Sequence, residues 1–431
     1  MKKTIARAFG LIVLATMVTT VPATGQVPLT PRALGMGGAF IGVARGQEVI
    51  FLNPANLGLP GTPQWSLAFP QLTVKGTLLG PDFGDLPDIQ NFDEVSSART
   101  EEILASIPES GTEATYDFRF PAVAWQVGHL ALGVSYGSIG QHTVSKDVVE
   151  LIFEGYEENR TDYSVGNTSG SRVTFWDVAA AYGRRVGPVS LGVTGHYIHG
   201  GTILQSRLFD PRIDVAAAEI DVDYMSVFSR GGTGFGLDVG AAYMPFAGLT
   251  VSGAISNLYS TMSWNEELMV RELTLTQEDF DSPEPLDILD RYEDSEHAFD
   301  AGTASPRAVN TADGLYDDAN FPAIARLGAA WQPRRGTQLG VAFNKQLSDG
   351  RLSGEWEQKA AIGVQQKIPL VTLRAGYATN LDDSSLLSGG LTLGVLEFGV
   401  AKLSAGDLNG ASRSGWIASF GVNVETPQTI N

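Results

Sequence analysis

The sequence predicts an all-β fold, a transmembrane antiparallel β-barrel of about 14 strands with an N-terminal plug, or hatch, inside its lumen. Runs of about ten residues alternate in character with a period of two, as barrel strands do. The second face of these runs is mostly small or polar, and the connections between them are alternately short and long. The mean hydropathy is +0.01, which is high for a chain with a net charge of −19. Apolar residues are therefore abundant, but they are spread over short alternating runs.

The segment GWIASFGVNV illustrates the alternation. Trp416, Ala418 and Phe420 share one face, whereas Ser419 and Gly421 share the other. A soluble β-sandwich would place long polar side chains on its solvent face. A crowded, polar barrel interior takes small side chains instead, so the apolar face is expected to contact lipid.

An even number of strands places both ends of the barrel on the periplasmic side. Short turns such as RRVGPV and MPFAGL are expected on that rim, and longer polar links on the extracellular rim. The predicted strands are 65–75, 115–127, 129–141, 172–184, 188–200, 233–245, 248–260, 321–332, 336–346, 354–366, 369–380, 386–395, 397–404 and 413–424.

The first residues read as a targeting segment. Lys2, Lys3 and Arg7 precede a short apolar run that ends in small residues before Gln26. This is the pattern of a secretory signal peptide, predicted to be cleaved after Gly25. The remaining predicted parts are the hatch at 26–64, the barrel at 65–425 and a C-terminal tail at 426–431.

Two long links between predicted strands differ in the structure expected of them. Residues 265–320 are expected to form a large acidic extracellular loop, partly disordered, because Pro283, Pro285 and Pro306 interrupt regular pairing. Residues 92–107 are predicted to be helical, with a modest apolar stripe behind acidic early turns.

Composition and motifs exclude several function classes. A strongly acidic chain repels phosphates, so a nucleic-acid partner is not expected. There is no cysteine and hence no thiol chemistry. No HExxH motif, Walker loop or nucleophile elbow is present, so the prediction is a non-enzyme without cofactor or metal site. A barrel-borne lipase with Ser, His and an acid is the residual alternative.

Several ionisable residues are predicted to point into the lumen, where such groups are functional candidates by default. They serve either as contacts to a ligand or as pairing and plug-anchoring groups, and the sequence favours the second reading. The predicted residues are Asp177, His196, Asp238, Arg326, Arg374 and Lys359.

The hatch segment is too apolar and glycine-rich for a free tail and too short for a separate domain. Its glycines allow close backbone approach, and its Asn-Pro pair fixes a turn. The predicted hatch or gating residues are Gly35, Gly37, Gly38, Asn53, Pro54, Ala55, Asn56 and Leu57.

The stretch ALGMGGAF followed by NPANL resembles the hatch signature of FadL/TodX-like outer-membrane proteins, which move long-chain fatty acids and aromatic hydrocarbons. PorV-like barrel subunits of the type IX secretion system share much the same opening. The matching motif covers about residues 32–60. The resemblance implies the outer membrane of a Gram-negative-type bacterium and passive, hatch-gated uptake of hydrophobic small molecules such as long-chain fatty acids.

The alternative that the resemblance implies is a non-transporting barrel that docks secreted proteins or a secretion machine. The expected partners are outer-membrane lipid, lipopolysaccharide and a hydrophobic small-molecule ligand. Under the alternative, a protein partner binds at the extracellular or periplasmic face.

Overall fold

In this computed structural model of the 431-residue chain, the described residues are 30–81, 95–154, 168–209, 212–214, 219–264, 267–276, 279, 285–300, 302–312, 315–316, 319–350, 352, 356–408 and 411–426. The predicted signal peptide, residues 26–29 of the predicted hatch and residues 427–431 of the predicted tail lie outside them. Among the helices of the described residues, none is long and apolar enough to cross a membrane.

The described chain contains seventeen strands. They are β1 Trp65–Leu79, β2 Thr112–Val127, β3 Leu130–Val144, β4 Ser169–Val186, β5 Val189–Leu208, β6 Arg212–Asp214, β7 Glu219–Phe246, β8 Leu249–Ser263, β9 Leu268–Leu275, β10 His297–Ala298, β11 Ile324–Arg334, β12 Thr337–Gln346, β13 Gln358–Ile368, β14 Val371–Thr379, β15 Ser384–Leu393, β16 Leu396–Leu408 and β17 Ala411–Glu425.

The α-helices are α1 Pro31–Gly35, α2 Ser97–Ser106, α3 Lys146–Phe153, α4 Pro285–Asp294 and α5 Pro306–Ala312. Two 3₁₀ turns cover Gly46–Phe51 and Pro54–Gly58. Helix α2 lies within the predicted helix at 92–107, of which residues 92–94 are outside the described residues.

Fourteen of the strands close into one antiparallel barrel, as predicted. All except β6, β9 and β10 follow one another around the wall, and β17 pairs back onto β1. Six short turns and both ends of the barrel lie on one rim, which we name periplasmic, and the long links lie on the other, extracellular rim.

The two faces of the wall differ as the alternation predicts. On β5 the side chains of Leu191, Val193 and Tyr197 are exposed on the outside, whereas Ser190 and Thr194 are fully buried on the inside. Exposed apolar side chains of this kind form the outer surface of a barrel that stands in lipid.

One side of the barrel rises far above the extracellular rim. Strand β7 has 28 residues. Its segment Val222–Ser229 pairs with β9 on one side, and Tyr224–Ser229 within it pairs with β5 on the other. We name β5, β7, β9, β10 and α4 beyond the rim the extracellular extension.

The expectation of a loop without regular pairing at 265–320 is wrong for β9, which forms an eight-residue ladder with β7. Strand β9 ends before the prolines of this link, so they do not interrupt its ladder. Pro285 and Pro306 are the first residues of α4 and α5, where the missing N–H of proline has no intrahelical partner to lose.

Candidate functional site: the hatch, the lumen and the wall

The hatch (described residues 30–64) is built from short capped turns. Thr30 accepts a hydrogen bond from Ala33 N at 3.3 Å, and Pro31 opens α1. Asn53 accepts one from Ala55 N at 3.0 Å, and Pro54 opens the second 3₁₀ turn. A cap followed by proline fixes where each turn begins, so the stiff NPANL stretch holds a defined shape.

The hatch packs directly on the inner wall because wall glycines leave room for its backbone. A Cβ added to Gly363 on β13 would lie 2.6 Å from Met36 O, and one on Gly376 of β14 would meet the same oxygen at 2.6 Å. On the hatch side, Gly37 has a φ of 65°, and an added Cβ would lie 2.9 Å from Tyr377 N. Side chains at these positions would push the hatch off the wall.

The second half of the hatch is held by amide side chains. Asn53 Nδ2 donates to Ala241 O at 3.1 Å and to Gly253 O at 3.2 Å, which bridges β7 and β8. Asn56 is fully buried, and its Nδ2 donates to Ile41 O at 2.7 Å, so it ties the two halves of the hatch together.

The eight predicted hatch residues lie at contacts of this kind, either buried or, for Gly38, partly buried. Ala55 O accepts a hydrogen bond from Ser190 Oγ on β5 at 2.5 Å, and Leu57 packs in the apolar core of the hatch. Their role in gating stays a prediction.

Sequence reasoning missed an ionic cluster at the start of the hatch. Arg32 lies 2.5 Å from Glu397, 3.3 Å from Glu425 and 3.5 Å from Glu48. Glu48 and Glu397 are each only 1% exposed. The Arg32 guanidinium therefore faces three carboxylates, two of them buried. Arg374 is a second cation within electrostatic reach of the same three groups, which leaves one negative charge in excess beneath α1.

The structure brings three of the predicted lumen residues together. His196 Nδ1 lies 3.1 Å from both carboxylate oxygens of Asp177, and its Nε2 lies 3.4 Å from Asp238 Oδ2. Asp238 Oδ1 in turn accepts a hydrogen bond from Asn257 N at 2.7 Å. Asn257 lies where β7 and β8 lose register, with a φ of 51°.

The other predicted cations lie elsewhere on the inner wall. Arg326 donates to the hydroxyl of Ser256. Arg374 donates to Gln365 Oε1 and Thr392 Oγ1, each at 2.7 Å, beside α1. The Lys359 ammonium lies next to Gly38, where an added Cβ would be 3.2 Å away. These contacts are to wall and hatch, and a contact to a ligand stays a prediction.

The wall itself is interrupted between β1 and β2. Pairing runs to Ala68 opposite Ala124 and resumes at Thr73 opposite Arg119, so four residues on each strand have no partner on the other of these two strands. Pro70 and Pro121 lie within these segments, and proline has no N–H for the ladder. Register also shifts beside Pro70 on the β17 side and beside Pro121 on the β3 side. We name residues 69–72 and 120–123 the wall gap.

A buried amide faces the lumen at the wall gap. Gln71 is 1% exposed, and neither of its side-chain polar atoms has a hydrogen-bond partner among the described residues. Its side chain and the Pro31 ring both lie within 3.4 Å of the position a Cβ on Gly421 would take. The start of the hatch therefore borders the gap. The sequence does carry the signal, since Phe-Pro occurs once in each strand, at residues 69–70 and 120–121.

The extracellular mouth of the lumen is covered by the described residues of 302–323 together with Leu352, which we name the lid. Its Ala308, Leu315 and Leu352 join a buried cluster with inward residues of the wall. Phe321 packs edge-on against Phe175 of β4, with ring centroids 4.9 Å apart.

A cavity of about 220 Å³ lies between lid and wall. Ile139, Val173 and Ile203 line it from the wall and Leu315 and Leu352 from the lid. Gln141, Ser171 and Gln205 add polar atoms. An apolar pocket with a few polar groups is the usual form of a small-molecule site.

Comparisons with known proteins give the class of the fold. A family model described as a family of unknown function, DUF5723, matches residues 201–397, and no curated protein matches the chain. The Pseudomonas putida toluene transporter TodX aligns with a TM-score of 0.51 and 11% identity over 94% of this chain and 98% of that chain. A Pseudomonas aeruginosa FadL homologue aligns with a TM-score of 0.50 and 12% identity over 94% of this chain and 100% of that chain.

The chain therefore has the fold of the FadL/TodX-type outer-membrane β-barrels. At this level of identity the likeness concerns the fold alone.

Proposed function

We propose that the protein lets small hydrophobic molecules cross the outer membrane passively, through a lumen gated by the hatch. The observation that carries the proposal is the wall gap beside the hatch, bounded by Pro70 and Pro121. A gap in a lipid-facing wall offers a route to a molecule that partitions from water into lipid. Phe69, Leu72 and Val123 are exposed on its outer side and present an apolar border.

The size of the cavity under the lid sets the class of molecule captured first. At roughly 30 Å³ for a group the size of a water molecule or methylene, 220 Å³ takes about seven such groups. A single aromatic ring fits this space. A long-chain fatty acid would fit only if the lid moved away from Ile139 and Ile203.

Hatch gating belongs to the same proposal. The hatch lies between the lumen and the periplasmic rim, so a molecule leaves the lumen either past a displaced hatch or through the wall gap. Contacts of Asn53 with β7 and β8 hold one end of the hatch, and the Arg32 cluster holds the end that borders the gap.

The test is uptake of a labelled monoaromatic compound by proteoliposomes. The double variant Pro70→Val/Pro121→Val supplies two N–H donors to the β1–β2 ladder and is expected to reduce uptake to the rate of protein-free liposomes. Pro333→Val, in β11 near the periplasmic rim, is the matched control and is expected to keep the wild-type rate. Unchanged uptake by the double variant in a folded barrel counts against the wall gap as the route.

A second function, docking of a protein partner, is favoured by the order within the extracellular extension. Arg271 stacks on Phe228 and Tyr292 at 5.1 and 5.3 Å and pairs with Glu296 at 2.6 Å. A connection between two barrel strands does not require such ring contacts and ion pairs outside the membrane. Deletion of residues 268–298 distinguishes the two functions. If the deleted protein loses a stoichiometric protein partner but keeps normal uptake, the result supports docking by the extension.

A further inference from the structure

The outer surface of the wall carries a groove of about 570 Å³ across β1, β17, β16 and β15. Apolar side chains form its sides, among them Leu72, Phe420, Phe398 and Leu391. Gly389 and Ala418 form its floor, because these outward positions carry little or no side chain. In a membrane, this outer surface of the barrel contacts lipid.

The volume of the groove matches one acyl chain. At roughly 30 Å³ for each methylene-sized group, the groove takes about 19 groups. A lipid tail is an extended chain of this size, and without an occupant the lining would lose its dispersion contacts. Because the groove lies on the outside, its occupant does not depend on what the lumen carries.

A cation stands at the extracellular end of the groove. The next outward residue after Val400 on β16 is Lys402, which is exposed and pairs with Leu387 on one side and Trp416 on the other. Tyr377, paired with Leu387, continues the row. Aromatic residues in such a row mark the membrane interface, so the Lys402 ammonium lies at the depth of lipid head groups.

We propose that this groove binds one acyl chain of an anionic membrane lipid and that Lys402 holds the charged group of that lipid. A second copy of this chain fits the surface less well. It would bury Lys402 without an opposing charge among the outward residues named here, and an unpaired buried charge is costly. The site is independent of the proposed transport function.

The test is native mass spectrometry of the protein after reconstitution with phosphatidylglycerol or phosphatidylcholine carrying the same acyl chains. The wild type is expected to retain one phosphatidylglycerol molecule in preference to phosphatidylcholine. Lys402→Gln is expected to lower the retained phosphatidylglycerol about fivefold, since a lysine near anionic lipid contributes about 1 kcal/mol, and to leave phosphatidylcholine unchanged.

Gly389→Leu fills the groove and is expected to lower retention of both lipids at least threefold. The side chain has room, since the nearest atom to a Cβ there is Arg374 O at 3.9 Å. Gly195→Leu is the matched control: Gly195 is an outward glycine on β5 with nothing within 4 Å of an added Cβ. Lys345→Gln, at an exposed position near the end of β12, controls for loss of positive charge.

Equal lipid retention by the wild type and Gly389→Leu would overturn the proposal. So would a preference for phosphatidylglycerol that survives Lys402→Gln. A wild-type mass of two chains that Gly389→Leu reduces to one would assign the surface to a second copy and overturn the lipid site.

Discussion

Asn53→Ala gives the sharpest test of how the hatch is held. The Asn53 side chain is fully buried and makes three hydrogen bonds, to Ala241 O, Gly253 O and Ala55 N. Two of these bonds join the hatch to the wall, and the third caps a turn within the hatch. At about 1 kcal/mol for each bond to the wall, the variant weakens the attachment of the hatch to the wall by about 2 kcal/mol. The population of displaced hatch then rises roughly 30-fold, at 1.4 kcal/mol for each factor of ten.

The assay is amide hydrogen exchange of the peptides that cover residues 53–59, read beside the conductance of single barrels in a planar bilayer. Exchange there is expected to accelerate about as much as the opening equilibrium, with more frequent conducting events and an unchanged barrel melting temperature. Asn380→Ala is the matched control, because Asn380 also hydrogen bonds to backbone N–H groups, of Asp382 and Ser384, but in an extracellular loop. Equal amide exchange rates of residues 53–59 in both variants would refute the role assigned to Asn53.

Three further outcomes follow from the contacts. Gly376→Val should displace the hatch around Met36 and raise leakage of polar solutes in liposome swelling, while the barrel keeps its heat-modifiable mobility. His196→Ala leaves two carboxylates unpaired and should lower the free energy of unfolding in urea by about 3 kcal/mol, much of which the added Asp238→Asn change should restore. Hydrogen bonds from Arg230 and Arg271 hold the pKa of Glu296 below its ordinary value of 4.5. The stability they add to the extracellular extension is present above pH 4.5 and is lost as the pH falls further, so proteolysis of the extension should accelerate on acidification in the wild type and not in Glu296→Gln.

The alternation of the sequence was enough to place all fourteen barrel strands, because inner and outer faces of a wall in lipid demand opposite residue types. The strands of the extension were missed or shortened. Residues Met225–Ser229 of β7 are buried in the structure because α4, β9 and the lid pack around them, and so they show no period-two pattern. Packing partners that lie some fifty residues away in sequence leave no local signal.

The candidate site was predictable only in part. Inward positions such as Asp177 and Asp238 follow from strand parity alone. Which inward charges meet depends on register between neighbouring strands, and the loss of register at Asn257 comes from no motif visible beforehand. Arg32 was passed over because Glu397 and Glu425 follow it by more than 360 residues.

The two ends of the hatch differ in how well their polar groups are satisfied, and this difference decides which end moves first. The 53–58 end satisfies its amides with wall carbonyls at ordinary distances. The α1 end buries Glu48 and Glu397 near Arg32 and Arg374, and Gln47 Oε1 and Glu397 Oε2 accept no hydrogen bond from the described residues. With Glu425 the cluster has three carboxylates and two cations, and carboxylates in excess of their cations destabilise the folded arrangement. The α1 end is also the one that borders the wall gap. Exchange in peptides covering residues 31–44 should therefore be faster than in 53–58, and Glu48→Gln, which removes one charge, should slow it. Faster exchange at 53–58 would instead place the moving end at the Asn-Pro turn, away from the gap.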